Sequence, residues 1–540
     1  MEKAYIKVFT REPQTVGYPN GLAYSVHMAC CLGDGEFQEM NKNYGILFAA
    51  GEISPDNTII PMALKNPRLV VWEEGYGIVA ERVLESGEAD ETSNGKFLLW
   101  TTKDFIEFEE KGLVEVSSLA GYSQEPCMEV EVSVAGRALQ YWSPVVNTGI
   151  QLPEQVEVTS LQELEAVKVL ALYSDGSAAE KRVSWETKDV DFSKPGTYRI
   201  RGRVLRTKFP FPVAKGYGDP VIFPWEGKWF YISTNDNTND IGLYAREADS
   251  VEGLFAEDVT EHLILAQDEK RQLMQTFWAP EFHVIGGELY ILFAVSGNQW
   301  GPQCHVMKLK KGCSIIAAES WEDPIRMVRA DGSPLAEGAI TLDMTYIKTD
   351  RQAYMVWSYR VGIGTPLDTG SMLYIATVDE QKPWQLTGEP VLLSRPLYGW
   401  ENVDGTINNE GPYAFKKNGK VYLCYSGGSA NGYTYAIGLL TADAADDLTD
   451  ISVWSKRGTP VVSFYSVKGE YGPGHNSFYE DEDGNLMIAY HGELGLEEHL
   501  RCDGIRRIHF GFDGEPVFDM SAEEDLDESL REVTLPVVVK

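Results

Sequence analysis

The sequence has no run of about 18 apolar residues, so no stretch of it reads as a membrane-spanning helix. Its opening residues, MEKAYIKVFTREP, lack the apolar core of roughly 7–15 residues that marks a secretory leader, and the expected compartment is the cytoplasm. The seven cysteines are odd in number and scattered, with no CxxC pair, which points to reduced thiols rather than a zinc site or a disulfide framework. Positive charge is scarce: 47 basic side chains face 81 acidic ones, for a formal charge of -34. Such a surface repels phosphate backbones and anionic membranes, so neither nucleic acid nor a membrane is an expected partner. A neutral ligand such as an uncharged sugar is untouched by that repulsion. Long helical periodicity is also nearly missing.

Short runs rich in Val, Ile, Tyr, Phe and Trp recur instead, bounded by Gly, Asn and Asp, the pattern of strands and hairpins. With 43% hydrophobic and 11% aromatic residues over 540 positions, the chain can bury about three cores. In the second half the runs repeat. Asp219-Pro220-Val221-Ile222-Phe223 leads through Gly227 into Trp229-Phe230-Tyr231-Ile232-Ser233. The same order of acidic or polar start, Gly- or Asp-centred turn and aromatic strand begins again near Glu281, Asp343, Glu410 and His475. Starts at 219, 281, 343, 410 and 475 give five units of near-constant length, each with room for four short strands. An all-β fold with a five-bladed β-propeller over residues 209–540 is expected.

Upstream, residues 151–208 carry many strands and regular turns in little chain: Val167–Tyr173, Val183-Ser184-Trp185 and Pro195–Ile200. They suggest a small Ig-like sandwich and resemble the bacterial Ig-like repeats attached to carbohydrate enzymes. Residues 1–150 read as a β-rich module, either propeller-like or an ordinary sandwich. In it Asn66–Trp72, Gly95–Trp100 and Gly136–Trp142 echo the blade pattern.

In a propeller the innermost strand of each blade starts near the central axis. That places Asp219, Glu281, Asp343, Glu410 and His475 around one cavity. Converging carboxylates suit acetal cleavage, where one must be protonated to assist the leaving oxygen and one ionised to activate water. Crowding of like charge raises one pKa and supplies that acid at neutral pH. The competing reading is a satisfied polar network or a buried cation at the axis. His283 and His305 read as structural, and His491 as rim or core. The acidic run 523–528 reads as a solvated connection before the last strand.

Five stretches in order, Gly218-Asp219-Pro220, Trp278-Ala279-Pro280-Glu281, Thr341-Leu342-Asp343-Met344-Thr345, Asn409-Glu410-Gly411-Pro412 and Gly472–Phe478, resemble family 43 of the glycoside hydrolases. The last stretch, with Tyr490-His491 and Asp513–Val517, is most similar to its exo-acting α-L-arabinofuranosidases. The resemblance implies Asp219 as general base, Glu410 as general acid and Asp343 as the residue that orients Glu410 and tunes its pKa. It implies inversion at the anomeric carbon, and a neutral arabino-oligosaccharide as substrate. Trp278, Phe223 and Arg501 are its candidates for sugar contacts, with Arg501 drawn towards the acid. His475 matches a family histidine associated with a hydrated calcium or sodium ion. No organic cofactor is implied. The rivals are β-xylosidase activity in the same family, a glycoside phosphorylase, and a non-catalytic carbohydrate-binding propeller. A phosphorylase would need a basic cluster for phosphate, and the blade starts are acidic.

Overall fold

The computed structural model describes residues 3–540 other than 74, 120, 121, 123 and 124. The chain forms two compact units. One joins residues 1–142 to 210–480 and 488–505; the other joins 143–209, 481–487 and 506–540.

The first unit contains five four-stranded antiparallel blades, whose inner strands are Tyr217–Trp225, Gln275–Ile285, Ala339–Lys348, Asn409–Lys417 and Tyr471–Glu480. The fifth blade takes its outermost strand from Ala214–Lys215, just ahead of the first blade, pairing Ala214 with Asp503 and Lys215 with Cys502. The ring is thereby closed by hydrogen bonds between its two ends. Tight turns set the hairpin registers. Asn418-Gly419 joins the first two strands of blade four, with φ of 52° and 79°. Both values are positive, as a two-residue turn matched to strand twist requires. Between blades, Phe230, Phe277, Phe282 and Phe293 make one core and Tyr290, Met344 and Trp357 another.

Residues 1–142 hold two four-stranded sheets. One is a meander of Met62–Trp72, Gly75–Leu84, Phe97–Thr102 and Glu109–Val114; the other surrounds the strand Ala4–Phe9. Gly136–Trp142, which echoes a strand in sequence, lies in the helix Val132–Trp142. Val134, Ala135, Ala138 and Trp142 are its buried residues, a helical spacing. The N-terminal residues share a core with blade four: Leu22, Tyr44 and Phe48 pack with Trp400, Tyr433 and Phe464. Backbones touch there, since a Cβ on Gly21 would meet Gly399 O at 2.6 Å.

The second unit is a two-sheet sandwich. Asn147–Gln151, Val169–Tyr173 and Ala178–Lys181 form one sheet; Val156–Val158, Glu532–Val539, Gly196–Val204 and Val183–Trp185 form the other. The chain's last strand therefore belongs to this sandwich and not to the propeller expected to run to residue 540. It pairs antiparallel with Gly196–Val204 and parallel with Val156–Val158. The acidic run ahead of it is only partly solvated. Asp525 is buried and holds Arg507, Lys181 and the Tyr173 hydroxyl.

Candidate active site

Four inner strands break register near their starts, between Gly218 and Val221, Gln275 and Glu281, Leu342 and Thr345, and Glu410 and Tyr413. At these bulges, and at His475 in the fifth, the backbone turns left-handed: φ is 59° at Asp219, 45° at Ala279, 53° at Asp343, 55° at Gly411 and 42° at His475. A bulge re-aims the side chains beside it, and backbone held at positive φ in non-glycine residues is strain kept where the surroundings enforce it. Asp219, Asp343, Glu410 and His475 thus line one cavity of about 720 Å³, together with Trp278 and Arg501.

Asp219 is 6% exposed and densely held. Its carboxylate lies 3.0 Å from His475 Nδ1 and 3.2 Å from Arg501 Nη1, and it accepts the Thr234 hydroxyl. Burial lifts its pKa, but the His475 ring and the Arg501 guanidinium outweigh that and hold it well below the usual carboxylate range. His491 Nδ1 is close to both the Asp219 carboxylate, at 3.3 Å, and the Asp219 backbone N–H, at 3.1 Å. The amide can only donate, so Nδ1 accepts from it. The ring proton then sits on Nε2, facing Ala430 O at 3.1 Å. His491 thus props the backbone of Asp219.

Glu410 and Asp343, 9% and 2% exposed, behave oppositely to Asp219. Burial pushes each up to about 7, and the pair is close enough that the charge of Glu410 also raises Asp343. Donors decide which member keeps the proton. Asp343 accepts from Ser358 Oγ and from the Gly411 N–H, both at 3.1 Å, whereas Glu410 accepts from the Tyr435 hydroxyl at 3.0 Å. The better-supplied Asp343 is the ionised member and Glu410 the protonated one. Glu281, the remaining blade-start acid, is turned to His283 Nε2 at 2.6 Å. Burial raises the carboxyl well above its normal range and lowers the imidazole to about 3. The imidazole is uncharged at neutral pH, and burial biases the carboxyl beside it towards its own uncharged form.

Trp278 is half-buried at the cavity wall, its Nε1 donating to Asp240 at 2.9 Å. Two expected sugar contacts are corrected. Phe223 is not among the cavity residues; it stacks on Trp225 and Phe282 and packs against the core between blades one and two. The reason is its position at the far end of the inner strand, four residues beyond Asp219. Arg501 does line the cavity, but its hydrogen bonds go to Asp219 and Asp236 on the side of the base, and only its charge reaches Glu410. The first guanidinium charge acting on Glu410 is that of Arg360 from blade three, which also donates to Asn408 at 3.0 Å. Arg360, Tyr435, Asp236 and Asp240 come from strands and loops outside the repeat's start and carry no sequence signal.

His475 was expected beside a calcium or sodium ion. Its Nδ1 is turned to Asp219, and among the described residues no three of His, Cys, Asp and Glu converge to hold a metal. A hard cation takes about six to eight oxygens, and these side chains do not fit an ion that they ligate themselves.

The sequence profile of glycosyl hydrolases family 43 matches residues 209–516, and that of a bacterial Ig-like domain (group 4) matches residues 167–206. An extracellular exo-alpha-(1->5)-L-arabinofuranosidase of Streptomyces avermitilis is 29% identical over 320 residues, 57% of this chain and 63% of that protein. Its namesake from Streptomyces chartreusis is 32% identical over 282 residues, 52% of this chain and 81% of that protein. A solved alpha-L-arabinofuranosidase from Lactobacillus brevis superposes with a TM-score of 0.50 at 27% identity, covering 57% of this chain and 95% of its own. Both Streptomyces proteins are named extracellular, which overturns the expected cytoplasmic placement.

Proposed function

The chain belongs to glycosyl hydrolases family 43, and on that premise we propose that it is an inverting exo-hydrolase releasing terminal α-L-arabinofuranose from neutral arabino-oligosaccharides. The observation that carries this reading is the opposite electrostatic bias of two acids in one cavity. Asp219 is held ionised by His475 and Arg501, while Glu410 is held up to about 7 by burial. One is equipped to take a proton from water, the other to give one to the departing oxygen.

In the reaction, Asp219 draws a proton from a water that attacks the anomeric carbon. Glu410 protonates the glycosidic oxygen as that bond breaks. One displacement leaves the sugar with inverted configuration, Asp219 protonated and Glu410 ionised; proton exchange with solvent resets both. Asp343 holds the peptide after Glu410 and keeps a negative charge beside it, which favours the proton on Glu410 until the leaving oxygen claims it. Trp278, fixed by Asp240, supplies an apolar wall for the sugar. The exo-arabinofuranosidase names of the two Streptomyces relatives support arabinose over xylose as the released sugar.

The test is a panel of p-nitrophenyl pentosides and linear arabinan, with product sizing and NMR of the first-formed anomer. Arabinose alone, with inverted configuration, is expected. Xylose release would move the reading to β-xylosidase, mixed oligomers would move it to endo action, and a retained anomer would refute the single displacement. Asp219→Ala and Glu410→Ala are each expected to lose about 10³-fold or more in kcat on oligosaccharides.

A further inference from the structure

A second cavity, of about 620 Å³, lies on the blade-two and blade-three side, lined in part by Trp300, Arg326, Ile340, Arg360 and Ile363. Its size is within the range of about 300–1,000 Å³ usual for small-ligand sites. It adjoins the catalytic cavity through two links. Ile340 lines the second cavity and Leu342 the first, and residues two apart on a strand share a face. Arg360 lines the second cavity while its Nη1 donates to Asn408, which lines the first. Asp368 clamps the other arm of Arg360 at 2.8 and 2.7 Å, so that bridge is fixed.

The chemistry of the lining is that of a sugar site. His305 and Arg326 sit directly opposite each other on adjacent strands, so both project from one face of blade two. Trp300 lies across both, 5.8 Å from the His305 ring and 4.8 Å from the Arg326 guanidinium. Trp300 itself lines the cavity beside them. Ile363, 55% exposed, adds a second apolar surface. The Arg326 side chain forms no ion pair or hydrogen bond with any described residue, and its Nε is buried without a partner. In a chain with 81 acidic side chains against 47 basic ones, an unpaired guanidinium at a cavity wall is a donor waiting for a ligand.

We infer that this cavity binds the leaving side of the oligosaccharide, the pentose units beyond the scissile bond, with Trp300 as stacking platform and Arg326 as hydroxyl-binding donor. The inference rests on the proposed hydrolase reading, in which Glu410 protonates the leaving oxygen. The link through Arg360 and Asn408 runs to the residues just ahead of Glu410, so the departing chain exits on this side. Pentoses present C–H faces that stack on aromatic rings and hydroxyls that take hydrogen bonds from guanidinium groups.

The experiment compares kcat/KM on α-1,5-arabinotriose, which places two pentose units beyond the scissile bond, and on p-nitrophenyl α-L-arabinofuranoside, whose aryl group fills at most the first of those positions and has no sugar hydroxyls. In Trp300→Ala and, separately, Arg326→Gln, the triose-to-aryl ratio is expected to fall about tenfold, the loss of one stacking or donor contact. A ratio unchanged within twofold, or equal losses on both substrates, overturns the inference. Arg326→Gln removes only half-buried charge, so it decides the matter should Trp300→Ala not fold. If the unmodified protein releases xylose in place of arabinose, the arabinofuranosidase reading fails on its own. The same ratio measured with xylotriose and the aryl xyloside then decides the subsite.

Discussion

The backbone N–H of Gly411 donates to Asp343 Oδ2 at 3.1 Å, so the third carboxylate holds the peptide that immediately follows Glu410. Asp343 thus acts on the acid in two ways, by fixing its backbone and by keeping a negative charge near its proton. Asp343→Asn retains the shape and removes the charge. The pKa of Glu410 should fall, and the basic limb of the kcat/KM profile should move to lower pH. A loss of about 10²-fold in kcat is expected, in the range of a misplaced general acid. A pH profile with its basic limb unmoved would mean that Asp343 serves packing alone.

Tyr435 makes the opposite prediction. Its hydroxyl donates to Glu410 Oε1 at 3.0 Å, and that bond favours the ionised carboxylate. Tyr435→Phe removes the donor, so Glu410 should hold its proton to higher pH. The basic limb should rise by about one to two pH units, since a hydrogen bond to a charged group is worth roughly 1.5–3 kcal/mol and about 1.36 kcal/mol corresponds to one unit. The acidic limb, set by Asp219 well below the normal carboxylate range, should not move. A downward shift of the basic limb would contradict the assignment of Glu410 as acid.

The acids were legible because each occupies the same place in a five-fold repeat, where the inner strand starts and bulges. Their opposed protonation was not, because it depends on His475, Arg501, Tyr435 and Ser358. His475 shares the repeat, but Arg501, Tyr435 and Ser358 arrive from other strands at no fixed spacing from the acid they serve. Phe223 shows the converse limit. An aromatic close in sequence to Asp219 reads as a sugar contact, yet four residues along a strand of about 3.3 Å rise carry it far down the axis. The last strand, Glu532–Val539, is apolar enough to close either a blade or a sandwich, and only pairing with Gly196–Val204 decides. The helix Val132–Trp142 has the aromatic ending of a blade strand; its buried positions carry the helical period.

The N-terminal residues contribute to the propeller's own core. Phe48 is buried with Tyr44, Trp400 and Phe464, and the Gly17 N–H donates to the Tyr433 hydroxyl at 2.9 Å. Phe48→Ala should therefore cost about 3–5 kcal/mol, the range for truncating a buried aromatic. The loss should appear in the unfolding transition that also abolishes catalysis. Denaturant unfolding followed by fluorescence and by residual activity checks this. Activity that survives to the unmutated midpoint while fluorescence shifts would show that residues 1–142 unfold independently.

In the sandwich unit, Asp525 is the residue on which buried charge depends. It accepts from Arg507, from Lys181 Nζ at 2.6 Å and from the Tyr173 hydroxyl at 2.8 Å. Burial works against its ionisation, but the two cations outweigh burial and hold its pKa below the usual range, while burial lowers Lys181 to about 8. A carboxyl whose folded pKa is depressed gives stability that is full above its unfolded pKa of about 4 and is lost as pH falls through the folded value. Asp525→Asn leaves two buried cations without their counter-charge and should cost about 3–5 kcal/mol at pH 7. Lys181 should then release its proton more readily, because its one close carboxylate is gone. Thermal unfolding of both proteins between pH 7 and pH 3 provides the check. The gap between them should narrow on acidification below pH 4, because the unfolded wild-type chain takes up a proton at Asp525 there while the folded chain resists it, and a gap that stays constant across that window would show that charge at Asp525 contributes nothing to the fold.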